Sequence, residues 1–351
     1  MEKLKIGIIG CGNIAEVHIN AYKSVPAKAT VTAVCDIDED KAKVFAEKHG
    51  VERYYTDFNE MLAKEKLDGV SVCTWHNIHR DATVAALNAG VNVLCEKPMA
   101  MNAAEAQEML DLSKQKDKVL QLGFVRRFSN TSRLIKKYID NGNMGDIYYA
   151  KVSYLRRNGC PGGWFGDKKY AGGGPLIDLA VHFLDEIRFV TNNPNPISAY
   201  GYTFDNLGYN RASGGQSWVA SSSKFADFTY DVEDLAGGVI KFDNGLTLFI
   251  ESSFNLNIKQ DYGNVEIFGT KGGLRKEPKL EFFTEQNGVF VDTMPIAQDD
   301  SRMFYEELEH FVDCINGDKQ CICTGEDGLA VMKMIDAVYE SARTGKLVEI
   351  K

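Results

Sequence analysis

The sequence lacks the features that would carry a chain into or across a membrane. No apolar run approaches the roughly 18 residues of a membrane helix. Met1 to Lys5 runs straight into a strand-like segment, so no signal peptide is expected. Positive charge is in deficit. Forty Lys+Arg stand against 49 Asp+Glu, a net charge of −9, which argues against nucleic acid or an anionic membrane surface as partner. There is no internal repeat and no charge block. The eight cysteines form neither a disulfide framework nor a metal pattern. Cys11, Cys35, Cys73 and Cys95 lie at or just past the ends of apolar runs, where small buried hydrophobes are common. Cys321-x-Cys323 is the one close pair, and no His or Cys neighbours it in sequence. Unpaired thiols without a leader point to a cytoplasmic protein.

What is present is an ordinary globular balance, 44% apolar and 25% charged, over 351 residues, a length that suits two domains. The first third alternates. Apolar runs at 4–10, 31–36, 69–74, 91–95 and 119–123 read as strands. Helical spacing follows Ile14, Val17 and Ala21 and recurs at 38–49, 82–89 and 102–114. This rhythm predicts βαβ units on a parallel sheet. Beyond residue 124 it changes. Strand-like runs at 146–155, 196–204, 237–243, 246–254, 263–268, 279–284 and 289–293 are interrupted by one clear helix, 176–191. Helices are also expected at 129–141, 302–315 and 326–343. The expected architecture is a doubly wound Rossmann domain over 1–124, then an α+β domain over 125–351 on a large, mostly antiparallel, open-faced sheet. The C-terminal helices could pack back on the first domain. The Gly/Ser/Asn-rich stretch 206–229, with Trp218 inside, reads as a long loop.

Gly10-Cys11-Gly12-Asn13-Ile14-Ala15 is G-x-G-x-x-A between a strand and a helix. Gly10 permits the tight turn, Gly12 leaves room for a pyrophosphate, and Ala15 lets helix and strand approach. Asp36 ends the next strand, 21 residues after Ala15. This context predicts a dinucleotide site containing Gly10, Gly12, Asn13, Ile14 and Asp36. Asp36 would accept the ribose hydroxyls and repel a 2′-phosphate, which favours NAD. The plainer role, capping the next helix, suits Asp38 better.

Glu96-Lys97-Pro98 follows the 91–95 strand, at the carboxyl edge where ligands of such sheets lie. By itself a strand-end Lys is more often a surface charge. Asp178 and His182, four apart, share one helix face behind the run Gly172-Gly173-Gly174-Pro175. A lone His on an apolar helix face is usually a core residue. Beside a carboxylate it becomes a candidate base. Arg156, Arg157 and Trp164 offer fork donors and an aromatic face that suit a sugar, or else a solvated basic turn with a Trp anchor.

The segments GIIGCGNIA (7–15), NVLCEKPMA (92–100), GGGPLIDLAVHFLD (172–185), YDVEDLAGGVIKFDNG (230–245) and GLAVMKMIDAVYESARTGKLVEI (328–350) resemble, in order, the Gfo/Idh/MocA oxidoreductases. That family includes inositol dehydrogenases and glucose–fructose oxidoreductase. The resemblance implies a catalytic Lys97, often followed by a cis bond to Pro98. It also implies functional Asp178 and His182, and Glu96 at the cofactor. CTWHNIH (73–79) matches the family's T-P-N-x-x-H with Trp75 in place of Pro. It implies cofactor contacts from Thr74, Asn77 and His79, and a weaker one from His76. Arg127 in GFVRRF matches an Arg that either touches the cofactor or links the domains. RRNGCPGGWF resembles members acting on glucosides more than the inositol enzymes.

The expected protein is thus an NAD-dependent dehydrogenase of a sugar, glycoside or cyclitol. Lys97 would polarise the oxygen, His182 would act as base, Asp178 would orient His182 or bind a second hydroxyl, and no metal is needed. The alternatives are a glycoside-cleaving enzyme that uses NAD transiently, a non-catalytic NAD-binding regulator, and a sugar-phosphate or imine reductase. A homodimer or homotetramer through the second sheet is expected, because 246–254 carries apolar residues at both strand parities: Leu246, Leu248 and Ile250 on one, Phe249 on the other.

Asp36→Ala should weaken NAD binding and narrow the preference over NADP. A tenfold wild-type preference for NADP, about 1.4 kcal/mol in binding, would defeat it.

Overall fold

The computed structural model describes residues 2–208, 228–296 and 298–351; Trp218 and most of the 206–229 loop lie outside them. Along the chain run β1 (Leu4–Ile9), α1 (Asn13–Lys23), β2 (Ala29–Cys35), α2 (Glu39–His49), β3 (Arg53–Tyr55), α3 (Phe58–Lys64), β4 (Gly69–Val72), α4 (His76–Asn88), β5 (Asn92–Cys95), α5 (Ala103–Lys116) and β6 (Leu120–Leu122). Then come α6 (Asn130–Asp140), β7 (Ile147–Leu155), α7 (Lys168–Ala171), α8 (Val181–Val190), β8 (Pro196–Phe204), β9 (Leu235–Phe242) and β10 (Thr247–Ser253). The chain closes with β11 (Tyr262–Gly269), β12 (Gly272–Arg275), β13 (Glu281–Gln286), β14 (Val289–Thr293), α9 (Met303–Ile315), α10 (Gly325–Thr344) and β15 (Val348–Glu349). Among the described residues, 2–128 and 301–329 form one compact unit and the remainder a second.

In the first unit six strands lie parallel in the order β3-β2-β1-β4-β5-β6. The order reverses between β1 and β4, the switch point where such sheets take ligands. All four residues of β4 are buried, as expected where helices cover both faces. The helix borders follow local chemistry. Asp38 accepts the Asp40 and Lys41 N–H groups at the start of α2, and Gly50, at φ 71°, ends it. Helix α9 returns late in the chain to this unit. Its Leu308, Phe311 and Val312 pack with Ile6, Ala21, Tyr22 and Leu94. Each such side chain, once buried, contributes about 1.5–3 kcal/mol.

Three features differ from expectation. β3 and α3 fill a stretch to which the sequence pattern assigned nothing. β3 has three residues, none fully buried, so it carries no apolar run. α4 begins at His76 rather than near 82, and Trp75 before it gives no side-chain cap that could have announced the start.

The second unit is built on nine strands, β14-β13-β12-β11-β7-β10-β9-β8-β15. Only β7 and β10 run parallel; the other neighbours are antiparallel. β12 and β15 were not foreseen. They have four and two residues, and β12 opens on two glycines. Register puts Ala199, Ile240, Leu248, Ala150, Ile267, Leu274 and Phe282 side by side across seven strands, and all are buried. One residue along, the opposite face carries Tyr200, Val239, Phe249 and Lys151, and there Tyr200 is 50% exposed. No helix among the described residues is long and apolar enough to cross a membrane.

Arg127, 1% exposed, donates from Nη1 to Asp327 Oδ2 at 2.9 Å and to the Ile322 carbonyl. Asp327→Ala takes a carboxylate away from that buried guanidinium. The expected cost is about 3–5 kcal/mol, read as a lowered midpoint of chemical denaturation. A cost under about 1 kcal/mol, the range of exposed pairs, would show that the pair does not hold this corner.

Candidate active site

One group of candidate residues lies at the carboxyl edge of the parallel sheet. Gly10 ends β1 at φ 96°, donates its N–H to Cys35 O at 2.7 Å, and passes so close to the chain after β4 that a Cβ would sit 2.4 Å from Cys73 O. No side chain except hydrogen fits. Gly12 is the N-cap of α1 and offers no side-chain cap, so the first turn faces the loop with its backbone N–H groups. Asn13 is exposed and Ile14 half-buried in that turn. Asp36 Oδ2 accepts the Cys11 N–H at 2.9 Å, and Oδ1 accepts the Asp38 N–H at 2.9 Å. The carboxylate is thereby strapped to the glycine loop. It keeps lone pairs to spare, since it has about four acceptor positions.

After β4, Thr74 is half-buried, while His76 and His79 are buried. His79 faces two carbonyls, Pro98 O at 2.7 Å from Nδ1 and Thr74 O at 3.2 Å from Nε2. Burial pushes its imidazole below the usual value. A neutral ring with its proton on Nδ1 donates to the nearer oxygen, Pro98 O, and so ties the loop after β5 to α4. The Asn77 Oδ1 atom is buried and has no hydrogen-bond partner among the described residues. A glycine loop with no room for side chains, an uncapped helix start and an orphaned amide oxygen all fit a dinucleotide.

Glu96 is buried, and its Oε1 lies 2.9 Å from His18 Nε2 while Oε2 accepts the Lys97 N–H at 3.2 Å. Burial alone would raise its carboxyl; the His18 hydrogen bond and charge hold it below the usual range. Lys97 itself is half-buried, and the Lys97–Pro98 peptide is cis. His18 was missed by the sequence reading, since a His among Ala15, Ile19 and Tyr22 on α1 looks like core. It is core, but core that anchors Glu96.

A separate group of candidate residues lies in the second unit. Leu176–Ala180 is a turn of π-helix that runs into α8. Such widened turns recur at functional sites. Asp178 is buried and His182 half-buried. Glu233 holds the entry. It accepts N–H groups from Gly174 at 2.8 Å and Leu176 at 3.3 Å, and the Tyr339 hydroxyl at 2.8 Å. Burial pushes its carboxyl up. A Cβ on Gly173 would meet the Tyr339 hydroxyl at 2.1 Å, and one on Gly174 would meet Glu233 O at 2.4 Å. This close packing is what the glycine run permits. Nothing in local sequence marked Glu233 and Tyr339, which lie about 60 and 160 residues further along the chain.

Arg156 donates to Gly159 O at 2.9 Å and to the Tyr154 hydroxyl at 3.3 Å; Arg157, exposed, donates to Lys259 O at 2.9 Å. Part of each fork is therefore spent on the chain. Trp164 is buried and stacked on Phe165 with centroids 3.8 Å apart, which is closer to the anchoring reading than to an open platform.

Comparison with known proteins agrees with this edge. Residues 4–124 match the family model described as the oxidoreductase family, NAD-binding Rossmann fold, and 136–350 match its C-terminal alpha/beta domain. The chain belongs to the Gfo/Idh/MocA oxidoreductase family. It is 35% identical over 349 residues to D-glucoside 3-dehydrogenase of Escherichia coli strain K12, covering 99% of this chain and 97% of that one. It is 26% identical to myo-inositol 2-dehydrogenase of Thermotoga maritima, over 99% of each chain. Levoglucosan dehydrogenase in complex with NADH superposes with a TM-score of 0.86 over 100% of both chains at 22% identity, a likeness of fold. This Gfo/Idh/MocA member is thus an oxidoreductase with an NAD-binding domain.

Glu233→Ala should loosen the entry to the π-helical turn and lower turnover about tenfold or more, the scale on which small misplacements act. NAD binding, measured by calorimetry, should hold. Unchanged turnover would show that the 174–182 segment keeps its shape without this carboxylate.

Proposed function

We propose that the protein transfers hydride between NAD and a secondary alcohol or ketone carbon of a sugar, glycoside or cyclitol. Glucoside 3-dehydrogenase chemistry is the first choice and inositol 2-dehydrogenase chemistry the second. The observation that carries this is the end-to-end identity of 35% with a D-glucoside 3-dehydrogenase, in a chain that keeps Lys97, Asp178 and His182. In this reading residues 1–124 bind the cofactor and 125–351 the substrate. That none of the eight cysteines forms a disulfide supports a cytoplasmic setting.

When bound, the nicotinamide supplies the hydride acceptor or donor. Gly10, Gly12, Asn13 and Ile14 take the pyrophosphate side, Asp36 the ribose hydroxyls, and Thr74, His76 and Asn77 the nicotinamide side. His79, Glu96 and Arg127 act by holding the loops that present these groups. Lys97 places its ammonium on the reacting oxygen and stabilises the alkoxide character that develops there. His182 removes the hydroxyl proton in oxidation and returns it in reduction. Asp178 orients His182 or accepts a second hydroxyl. Arg156 and Arg157 bind the sugar with the donors they have left, and Trp164 anchors the segment behind them.

Two predictions follow from the assigned roles. Lys97→Ala and His182→Ala should each cut turnover about 10²-fold or more, with NAD binding intact. The substrate is found by following NADH absorbance across glucosides, inositols and keto-sugars. No turnover on the panel, or near-normal turnover in either variant, contradicts the assignment.

The second sheet supports an assembly. Its outer face carries Tyr200, Val239 and Tyr262 at 50%, 36% and 50% exposure beside Phe249 and the stacked Tyr149–Phe268 pair. A face of this kind is buried best against a copy of itself, giving a two-fold dimer or a dimer of dimers. Light scattering of dilute protein should show at least twice the 39.0 kDa chain mass. A stable species at the single-chain mass rules out a tight dimer.

A further inference from the structure

We propose that His310, Cys314 and Cys321 form a binding site for one soft cation of the zinc and cadmium class. His310 and Cys314 are one turn apart on α9, and Cys321 comes in from the segment that follows. One ligand atom from each lies within 4.8 Å of the other two. Cys314 Sγ sits 3.4 Å from His310 Nε2. Zinc bonds of about 2.3 Å to sulfur and 2.0–2.1 Å to nitrogen, set at the tetrahedral angle, separate the two ligand atoms by about 3.5 Å. Helical spacing has therefore already put two of the three donors at the required separation.

The donor set is chemically selective. Two thiols and an imidazole suit a soft d10 ion and suit magnesium or calcium badly. The adjacent carboxylate, Asp313, is engaged by Lys28 at 2.8 Å and Lys319 at 2.8 Å. His310 and Cys314 are buried, while Cys321 is half-buried and gives the ion its way in. A water can complete the fourth position. His310 Nε2 also accepts the Ile322 N–H at 3.1 Å. The ion would take that lone pair, and the released N–H sets part of the cost. The neighbouring Cys323 instead places its Sγ 4.0 Å from Phe124 O. The relevant spacing is His-x3-Cys-x6-Cys, which requires α9 to be folded. Ile322 O accepts from Arg127, so a loaded site would clamp the segment on which Arg127 rests.

Reduced, full-length protein titrated with cadmium should develop the ultraviolet thiolate-to-metal band at one equivalent, release protons, and melt at higher temperature. Cys314→Ser and Cys321→Ser should each abolish the band; Cys323→Ser should keep it. No band at one equivalent overturns the proposal, as does a band that survives in both cluster variants or is lost only with Cys323→Ser. Should Cys314→Ser fail to fold, Cys321→Ser at its half-exposed position decides alone.

Discussion

Gly10 lies where three demands meet. β1 must end between β2 and β4, the chain must turn at once into α1, and the backbone must stay close enough for a ligand to reach the helix start. Its N–H closes on Cys35 O, its α-carbon faces Cys73 O, and its φ is positive. An alanine there would be strained twice, in conformation and in contact. The loop that follows is fixed from the other side by Asp36, whose carboxylate holds the Cys11 N–H. The group expected to read the ribose is thus also a strut of the loop. Losing it would disturb the cradle as well as the selectivity.

The same economy recurs around the site. Glu96 is held by His18, the loop after β5 is tied to α4 by His79, and Arg127 is clamped by Asp327 and Ile322. In the second unit Glu233 and Tyr339 fix the entry to the π-helical turn. Most of these are buried polar groups, costly unless satisfied, and several spend their hydrogen bonds beside a candidate functional residue. In the first unit they stand behind Lys97 and Asn77; in the second, behind Asp178 and His182.

Legibility in the sequence followed periodicity. The strands of the parallel sheet are apolar on both faces and announce themselves, and the glycine motif is local in the chain. The long strands of the second sheet alternate cleanly enough to be found. What escaped was short or remote. β3, β12 and β15 are too brief to show a pattern, and α4 starts without a capping side chain. His18, Glu233, Asp327 and Tyr339 act on residues far away in sequence, so no window contains both partners. By residue type Arg156 and Trp164 suit either a sugar or a basic turn with a Trp anchor. Their contacts with Gly159 O, Tyr154 and Phe165 show how much of each is used by the fold itself.

The claim on which the rest depends is net oxidation of a ring alcohol with hydride delivered to NAD. It is tested by giving the enzyme NAD and a glucoside deuterated at C3, then following cofactor absorbance and the label together. The expected result is a 3-keto product and one labelled NADH for each glucoside oxidised. Cleavage of the glycosidic bond with no net NADH would contradict it.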